Sequence, residues 1–396
     1  MNLEAGTFEQ APVPDLGLEP IPAKAYYDPE WFELERKAVF LRNWFPIGHV
    51  CEVPESGNFI RREVEFARAS LLIVRGKDGQ VRAFHNACTH RGTQLTDATC
   101  GKQSKFSCRY HMWTFGTDGA LLSAPDFERF GLDKKDCGLK SVACEVHAGL
   151  IFVNFDPQPA KPLREWLGAL ADGMEKVPCA HATNFSEYVY EIDANWKLTY
   201  DNFQESYHLR FIHSETGKAT FSPANPFGYP AAQELHDPHR TQTIWTNPDG
   251  ASLMTPSQML GFKAGMKAVM RGDVPENPEN RKYFAIFPSF FMLGSSGNNF
   301  SHTVYPIGPE KSRGVIRIYW INEDKTPAVR YGREFGMALT RDIHSEDISV
   351  IEAGQRGISS GALEHIHFQE QEVLCRHLYM MVDKAVREYK AEQGLA

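Results

Sequence analysis

The chain has 396 residues, with 42 Lys plus Arg against 50 Asp plus Glu and a formal charge of −8 at neutral pH, a balance that argues against nucleic acid as the main partner. Hydrophobic residues make up 42% and charged residues 23%, with 31 Gly and 24 Pro, so disorder and collagen-like repeats are excluded and the length predicts two domains, or one large domain carrying an insertion. The main apolar stretch, Tyr283 to Phe287 and then Phe290 to Leu293, is interrupted by Pro288 and Ser289 and is too short to span a membrane. The opening MNLEAGTFEQAPVPDLG has neither the positive start nor the apolar run of a signal peptide, so the expected location is cytoplasmic. Eight cysteines, at 51, 88, 100, 108, 137, 144, 179 and 375, are too sparse for a disulfide scaffold and read as buried thiols or metal ligands.

Along the chain, Asp28 as N-cap and Pro29 at the first helical position predict a helix to about Arg42, with Trp31, Phe32, Leu34, Ala38 and Val39 on its apolar face. From Trp44 to about Asp156 short alternating strands take over, for example Ser70 to Val74 and Val81 to Phe84 around the turn Lys77-Asp78-Gly79, which predicts a small all-β module. Pro157, Pro159 and Pro162 then mark a boundary. Beyond it, Tyr188 to Ile192 alternates and Lys197 to His208 looks helical. Ser214 to Glu279 predicts long loops with a short helix near Ser257 to Val269. Phe287 to Leu293 and Val315 to Ile321 read as strands, and helical stretches run from about Ala328 to Glu352 and from Glu364 to Lys390.

Two constellations carry chemistry. Cys88-Thr89-His90 and, after a spacer, Cys108-Arg109-Tyr110-His111 each offer one thiolate and one imidazole, with Gly92, Gly101, Gly116 and Gly119 placed for tight turns and Trp113 close behind. A zinc site of two Cys and two His is one reading, but zinc fingers put both cysteines in one pair, whereas here each pair is mixed. A Rieske-type [2Fe-2S] centre, with two Cys on one iron and two His on the other, uses two loops of this kind. Downstream, Asn195-Trp196-Lys197 precedes Asp201-Asn202-Phe203-Gln204-Glu205-Ser206-Tyr207-His208, and His213 follows. Two His and one carboxylate on one face of Fe(II) leave positions open for oxygen. The spacing of His208 and His213 requires a helix to end or bulge between them. Glu205, three residues before His208, stands where it can orient the His208 ring.

Taken together, these segments resemble the Rieske non-haem iron oxygenases: Cys-x-His, a spacer and Cys-x-x-His, then Asn-Trp-Lys, Asn-x-x-Asp/Glu-x-Tyr-His-x-x-x-x-His, and a distant Asp on a long helix. The resemblance covers about Tyr27 to Tyr379. It implies an α+β fold in which an all-β Rieske domain (44–156) is inserted in a helix-grip catalytic domain (157–396), an antiparallel sheet around a long helix, with residues 1–43 as a leader and a helix packing on the catalytic part. It further implies a [2Fe-2S] cluster on Cys88, His90, Cys108 and His111, a mononuclear Fe(II) on His208, His213 and Asp347, with Glu346 and Asp342 as competitors for the carboxylate, and O2 as co-substrate. Asn202 belongs to the same motif. Glu205 would bridge the iron to His111 of a neighbouring copy in a homotrimer. Most members carry Asp there. Glu is associated with oxidation of quaternary ammonium compounds, although that branch has Cys where this chain has Ser206 and Leu209.

The chain has no Gly-x-Gly-x-x-Gly fingerprint, so electrons from NADH or NADPH would come through a separate flavin reductase, with or without a ferredoxin. The expected activity is hydroxylation or demethylation of an aromatic or other apolar small molecule, with a quaternary-amine oxygenase or a non-catalytic Rieske electron carrier as alternatives. Phe284, Phe287, Phe290, Phe291, Met292, Tyr305 and Trp320 are candidate pocket residues, and Arg210, Lys218 and Arg240 candidate holders of a substrate carboxylate.

Overall fold

The structure, a computed structural model, describes residues 8–270, 272, 277–294, 299–321 and 326–395. Chain contacts divide the molecule into Phe40–Trp166 on one side and Met1–Val39 with Leu167–Ala396 on the other. The β unit therefore runs on past 156, the limit drawn from the proline-rich stretch. Trp44 Nε1 donates to the Lys161 carbonyl at 3.0 Å and Trp166 Nε1 to Asn43 at 3.1 Å, and these bonds tie the stretch back to the start of the unit.

In the β unit, Phe45–His49, Leu150–Asn154, Ser141–His147, Val81–His85, Ala69–Arg75, Asn58–Val64 and Cys100–Lys102 form one antiparallel sheet in that order. A second sheet joins Lys105–Ser107, Thr114–Gly116 and Leu121–Ser123. Alternation along these strands sends Phe59, Leu72, Val74, Phe84, Phe106 and Phe115 inward, into one core that includes Cys88 and Cys108. The cluster-type cysteines thus sit on the apolar side of their loops.

The larger unit is built on an antiparallel sheet ordered Asn184–Ile192, Lys311–Trp320, Asn299–Gly308, Phe290–Gly294, Lys282–Ile286, His239–Thr243 and Ala232–His236. The helix Pro327–Ser359 lays Met337, Ile348 and Ile351 against Tyr190, Ile192, Ile316 and Ile318 of that sheet. Thr326 caps its start by accepting from the Val329 amide, with Pro327 at the first position. Among the described residues no helix is long and apolar enough to cross a membrane.

Four local expectations are corrected. The helix expected over Lys197 to His208 stops at Asp201, because the Glu205 carboxylate takes the amides of Tyr207 and His208 and so starts a new turn. The expected strand Phe287 to Leu293 is the second half of a hairpin, Lys282–Ile286 with Phe290–Gly294, whose turn holds Pro288, a residue with no N–H for a ladder. Inside the expected long loops lies a second hairpin, Ala232–His236 with His239–Thr243. Its strands escape hydrophobic periodicity because the residues they bury are Gln233, His239, Arg240 and Thr241. The last helix begins at Val373, later than expected, since His365–Ile366 pairs with Ile21–Pro22 and Gln369 caps a turn ahead of it. Residues 271 and 273–276 of the loop region, and Ile321's neighbours 322–325, lie outside the described residues.

Candidate active site

The two Cys-His loops share one backbone plan. The Cys88 amide donates to the Thr93 carbonyl and its carbonyl accepts from Gly92. Likewise the Cys108 amide donates to Trp113 and its carbonyl accepts from Met112. Each loop closes through a left-handed residue, Gly92 at φ +80° and Met112 at φ +58°. Glycine adopts that conformation freely, and Met112 accepts a steric cost for it. The closed loops bring the His90 and His111 rings to 4.6 Å between centroids, with Trp113 stacked on His90 at 5.0 Å. Both cysteines are buried, and the two imidazoles are half-buried. Burial pushes the Cys88 thiol up, only partly offset by the amides of His90 and Arg91 that face it. His90 Nδ1 is buried without a hydrogen-bond partner. Two sulfurs and two imidazoles converging, with an orphaned ring nitrogen among them, fit an iron-sulfur cluster. Beside them is a surface hollow of about 350 Å³, lined by His90, His111, Trp113, Asp126, Arg129 and Phe130 among others.

In the other unit, His208, His213 and Asp347 offer ligand atoms that all lie within 4.8 Å of one another. Nε2 of His213 and of His208 stand 3.0 and 3.7 Å from Asp347 Oδ1. The opposite nitrogens are held from behind: His213 Nδ1 meets Glu346 at 2.6 Å, and His208 Nδ1 meets Glu205. Thr216 donates to the same Glu346 oxygen at 2.7 Å. Asp347 Oδ1, buried, has no hydrogen bond of its own. Burial alone would lower the His213 pKa, but Asp347 and Glu346 outweigh it and raise the net value, so the site attracts positive charge. Two Nε2 atoms and an orphaned carboxylate oxygen, each oriented from behind, fit a divalent metal ion. Of the three carboxylates considered, Asp347 joins the two imidazoles and Glu346 faces the back of His213. Asp342 is not among the grouped residues. Asn202 caps the end of the helix Trp196–Asp201 and also stays outside the group.

Asn195-Trp196-Lys197 acts structurally. The Asn195 side chain accepts from the Lys197 amide as N-cap, while Trp196 Nε1 and Lys197 Nζ converge on Glu35 at 2.8 and 2.5 Å. Trp31 donates to the same carboxylate at 2.7 Å. Both charges of this pair are fully buried, and burial lowers the Lys197 pKa despite the carboxylate. Glu35 was not foreseen: nothing in an amphipathic helix distinguishes one Glu that turns inward. Arg240 is also fully buried, donating Nε to Gln204 at 2.6 Å, whereas Lys218 is exposed and paired with Glu215. Arg210 is exposed. Of the aromatic candidates, Phe291 joins a ring cluster with Phe203 and His302, whereas Trp320 packs under Met337.

Residues 180–388 match the model of the ring hydroxylating alpha subunit catalytic domain, and residues 43–149 that of the Rieske [2Fe-2S] domain. The chain belongs to the ring-hydroxylating alpha subunit family. It is an oxidoreductase, a terminal oxygenase whose cofactors are a Rieske [2Fe-2S] cluster and a mononuclear iron. Among its relatives, the glycine betaine monooxygenase oxygenase subunit of Chromohalobacter salexigens is 29% identical over 87% of this chain and 80% of its own. The 2-aminobenzenesulfonate 2,3-dioxygenase subunit alpha of an Alcaligenes species is 36% identical over 49% of this chain and 50% of its own. Solved structures that share the fold include the following two. A quaternary ammonium Rieske monooxygenase in complex with L-carnitine has TM-score 0.74 at 22% identity, over 95% of this chain and 99% of that one. Naphthalene 1,2-dioxygenase of a Rhodococcus species, bound to indole, has TM-score 0.69 at 21% identity, over 93% and 94%.

Proposed function

We propose that this family member oxygenates an aromatic small molecule, with the iron held by His208, His213 and Asp347 and the cluster by Cys88, His90, Cys108 and His111. The observation that carries the reading is the arrangement of His208, His213 and Asp347, each imidazole backed by its own carboxylate. When bound, the cluster supplies single electrons and the iron activates O2. Glu346 and Glu205 face the Nδ1 atoms and so fix the ring orientation of the two histidines, with Nε2 pointed at Asp347. Tyr188, Tyr190 and Phe203 pack their rings against His344, one turn before Asp347, and Phe291 packs on Phe203, which gives this part of the unit an aromatic character.

Electrons come from NAD(P)H through a separate flavin reductase, with or without a ferredoxin. In a homotrimer Glu205 faces His111 of a neighbouring copy, and the hollow beside His90 and His111 leaves those imidazoles open to such a contact. The setting is the cytoplasm. Glu205 and the similarity to betaine and carnitine monooxygenase subunits favour a second reading, a quaternary ammonium substrate.

The deciding experiment is a single turnover: anaerobically reduced protein is exposed to O2 with aromatic acids, phenols, methoxyarenes or quaternary amines, and cluster reoxidation, oxygenated product and formaldehyde are followed. Reoxidation accelerated by an arene, with product, is expected. Acceleration by trimethylammonium compounds alone favours the second reading, and one slow rate with no product under every addition sinks both.

A further inference from the structure

One turn before Asp347 on the same helix stands His344, 1% exposed, and neither of its ring nitrogens has a hydrogen-bond partner. Its ring lies 4.0 Å from that of Tyr190, 5.7 Å from Phe203 and 6.4 Å from His302. His302 is likewise buried, and accepts or donates at Nε2 to the Tyr190 hydroxyl at 2.7 Å while its Nδ1 is unpartnered. The Tyr190 ring reaches this place because its cross-strand neighbour is Gly314, where a Cβ would sit 2.0 Å from Tyr190 Cζ. The strand Asn299–Gly308 and the helix Pro327–Ser359 thus each deliver an imidazole, and the strand Asn184–Ile192 the Tyr190 ring, into one buried cluster that also holds Phe203.

Leaving such buried nitrogens unsatisfied is costly, so a ligand group that pairs with them is favoured over one that does not. An uncharged imidazole offers one donor and one acceptor. Its complement is a group that both gives and takes a hydrogen bond. A carboxylate only accepts, and a tetraalkylammonium does neither.

We propose that His344, supported by His302, holds a hydroxyl or amino substituent of the substrate, so that this oxygenase selects phenols or arylamines over unsubstituted arenes. This rests on the aromatic reading above. The substituent anchored at His344 would fix which ring edge turns towards His208, His213 and Asp347. His344 is a specificity residue in this account, separate from the metal-holding set.

The test is calorimetric titration of the anaerobic holoenzyme with phenol, aniline, toluene and phenyltrimethylammonium, with iron content measured alongside. Phenol and aniline are expected to bind about tenfold more tightly than toluene, the scale of one satisfied buried hydrogen bond. His344→Phe is expected to erase that gap by weakening phenol and aniline while toluene stays within about twofold, and His344→Gln to keep part of it. If His344→Phe loses iron or does not fold, the gap in His302→Phe and His344→Gln decides, a full gap in both counting against the proposal. Equal binding of phenol and toluene to the unmodified protein overturns the proposal and leaves the aromatic reading intact. Preference for phenyltrimethylammonium, or binding of none of the arenes, overturns both.

Discussion

The two candidate ligand sets of this chain are built on opposite plans. Cys88, His90, Cys108 and His111 sit on two short loops closed by their own backbones, with imidazoles that reach the surface. His213 and the Glu346 that holds it are 133 residues apart, and His213 and Asp347 are each 3% exposed. A centre that exchanges electrons with other molecules benefits from an open edge, whereas oxygen chemistry benefits from a site that water does not enter. The loops are therefore a local device, and the iron site depends on how a whole sheet and helix meet.

Substitutions that remove a ligand should break the comparison most completely. Asp347→Ala is expected to abolish product formation and iron retention with the cluster's visible absorbance preserved. Cys108→Ala should lose the absorbance, and with it the electron supply and product, while the mononuclear iron is retained. Loss of both signals in either variant, read by iron assay and absorption, would mean that the two sites do not stand independently.

Next in size is Glu35→Ala. It strands Lys197 as an uncompensated buried charge and should cost about 3–5 kcal/mol, measured by denaturant unfolding. Because Lys197 lies on the helix leading to the His208 turn, iron is expected to leave at lower denaturant than the cluster. Glu346→Gln sharpens the comparison further. It keeps the shape but weakens the hold on His213 Nδ1, so iron affinity should fall about 10–100-fold, checked by competition with a chelator, with the cluster unaffected.

The smallest effect is a pH response of the iron-bearing unit. Burial, ahead of the nearby Arg240 charge, lowers the His377 pKa from its ordinary 6.5 to about 4, against the pull of Asp237. The folded state then refuses a proton that the unfolded chain accepts. Its contribution is whole above pH 6.5 and is lost as pH falls towards about 4. By pH 5 the loss should be about 2 kcal/mol, and unfolding of His377→Asn followed across this range should show a shallower decline.

Legibility followed the same division. The cluster loops could be read from residue types and spacing because their geometry is set within a few residues, down to the left-handed position at Gly92. The N-cap at Asp28 and the hairpin around Gly79 were legible for the same reason. The helix break at Asp201 was not, since the competing hydrogen bonds come from the Glu205 side chain. The hairpin Ala232–His236 with His239–Thr243 was hidden because it buries polar residues, so its strands carry no apolar alternation.

The sequence by itself determined the family, the two cofactors and the residue types that would hold them, because ligand chemistry restricts both identity and spacing. The family resemblance already favoured Asp347 over Glu346, and the tertiary structure supplied the physical difference between them. The two are adjacent on one helix, and their roles differ by the 100° turn between successive residues, which aims one at both imidazoles and the other at the back of His213. Tertiary packing also brought together Glu35 with Lys197, and Tyr190 with His302 and His344. Those encounters join residues far apart in the chain, and burial, which no local pattern encodes for a polar side chain, gives them their strength.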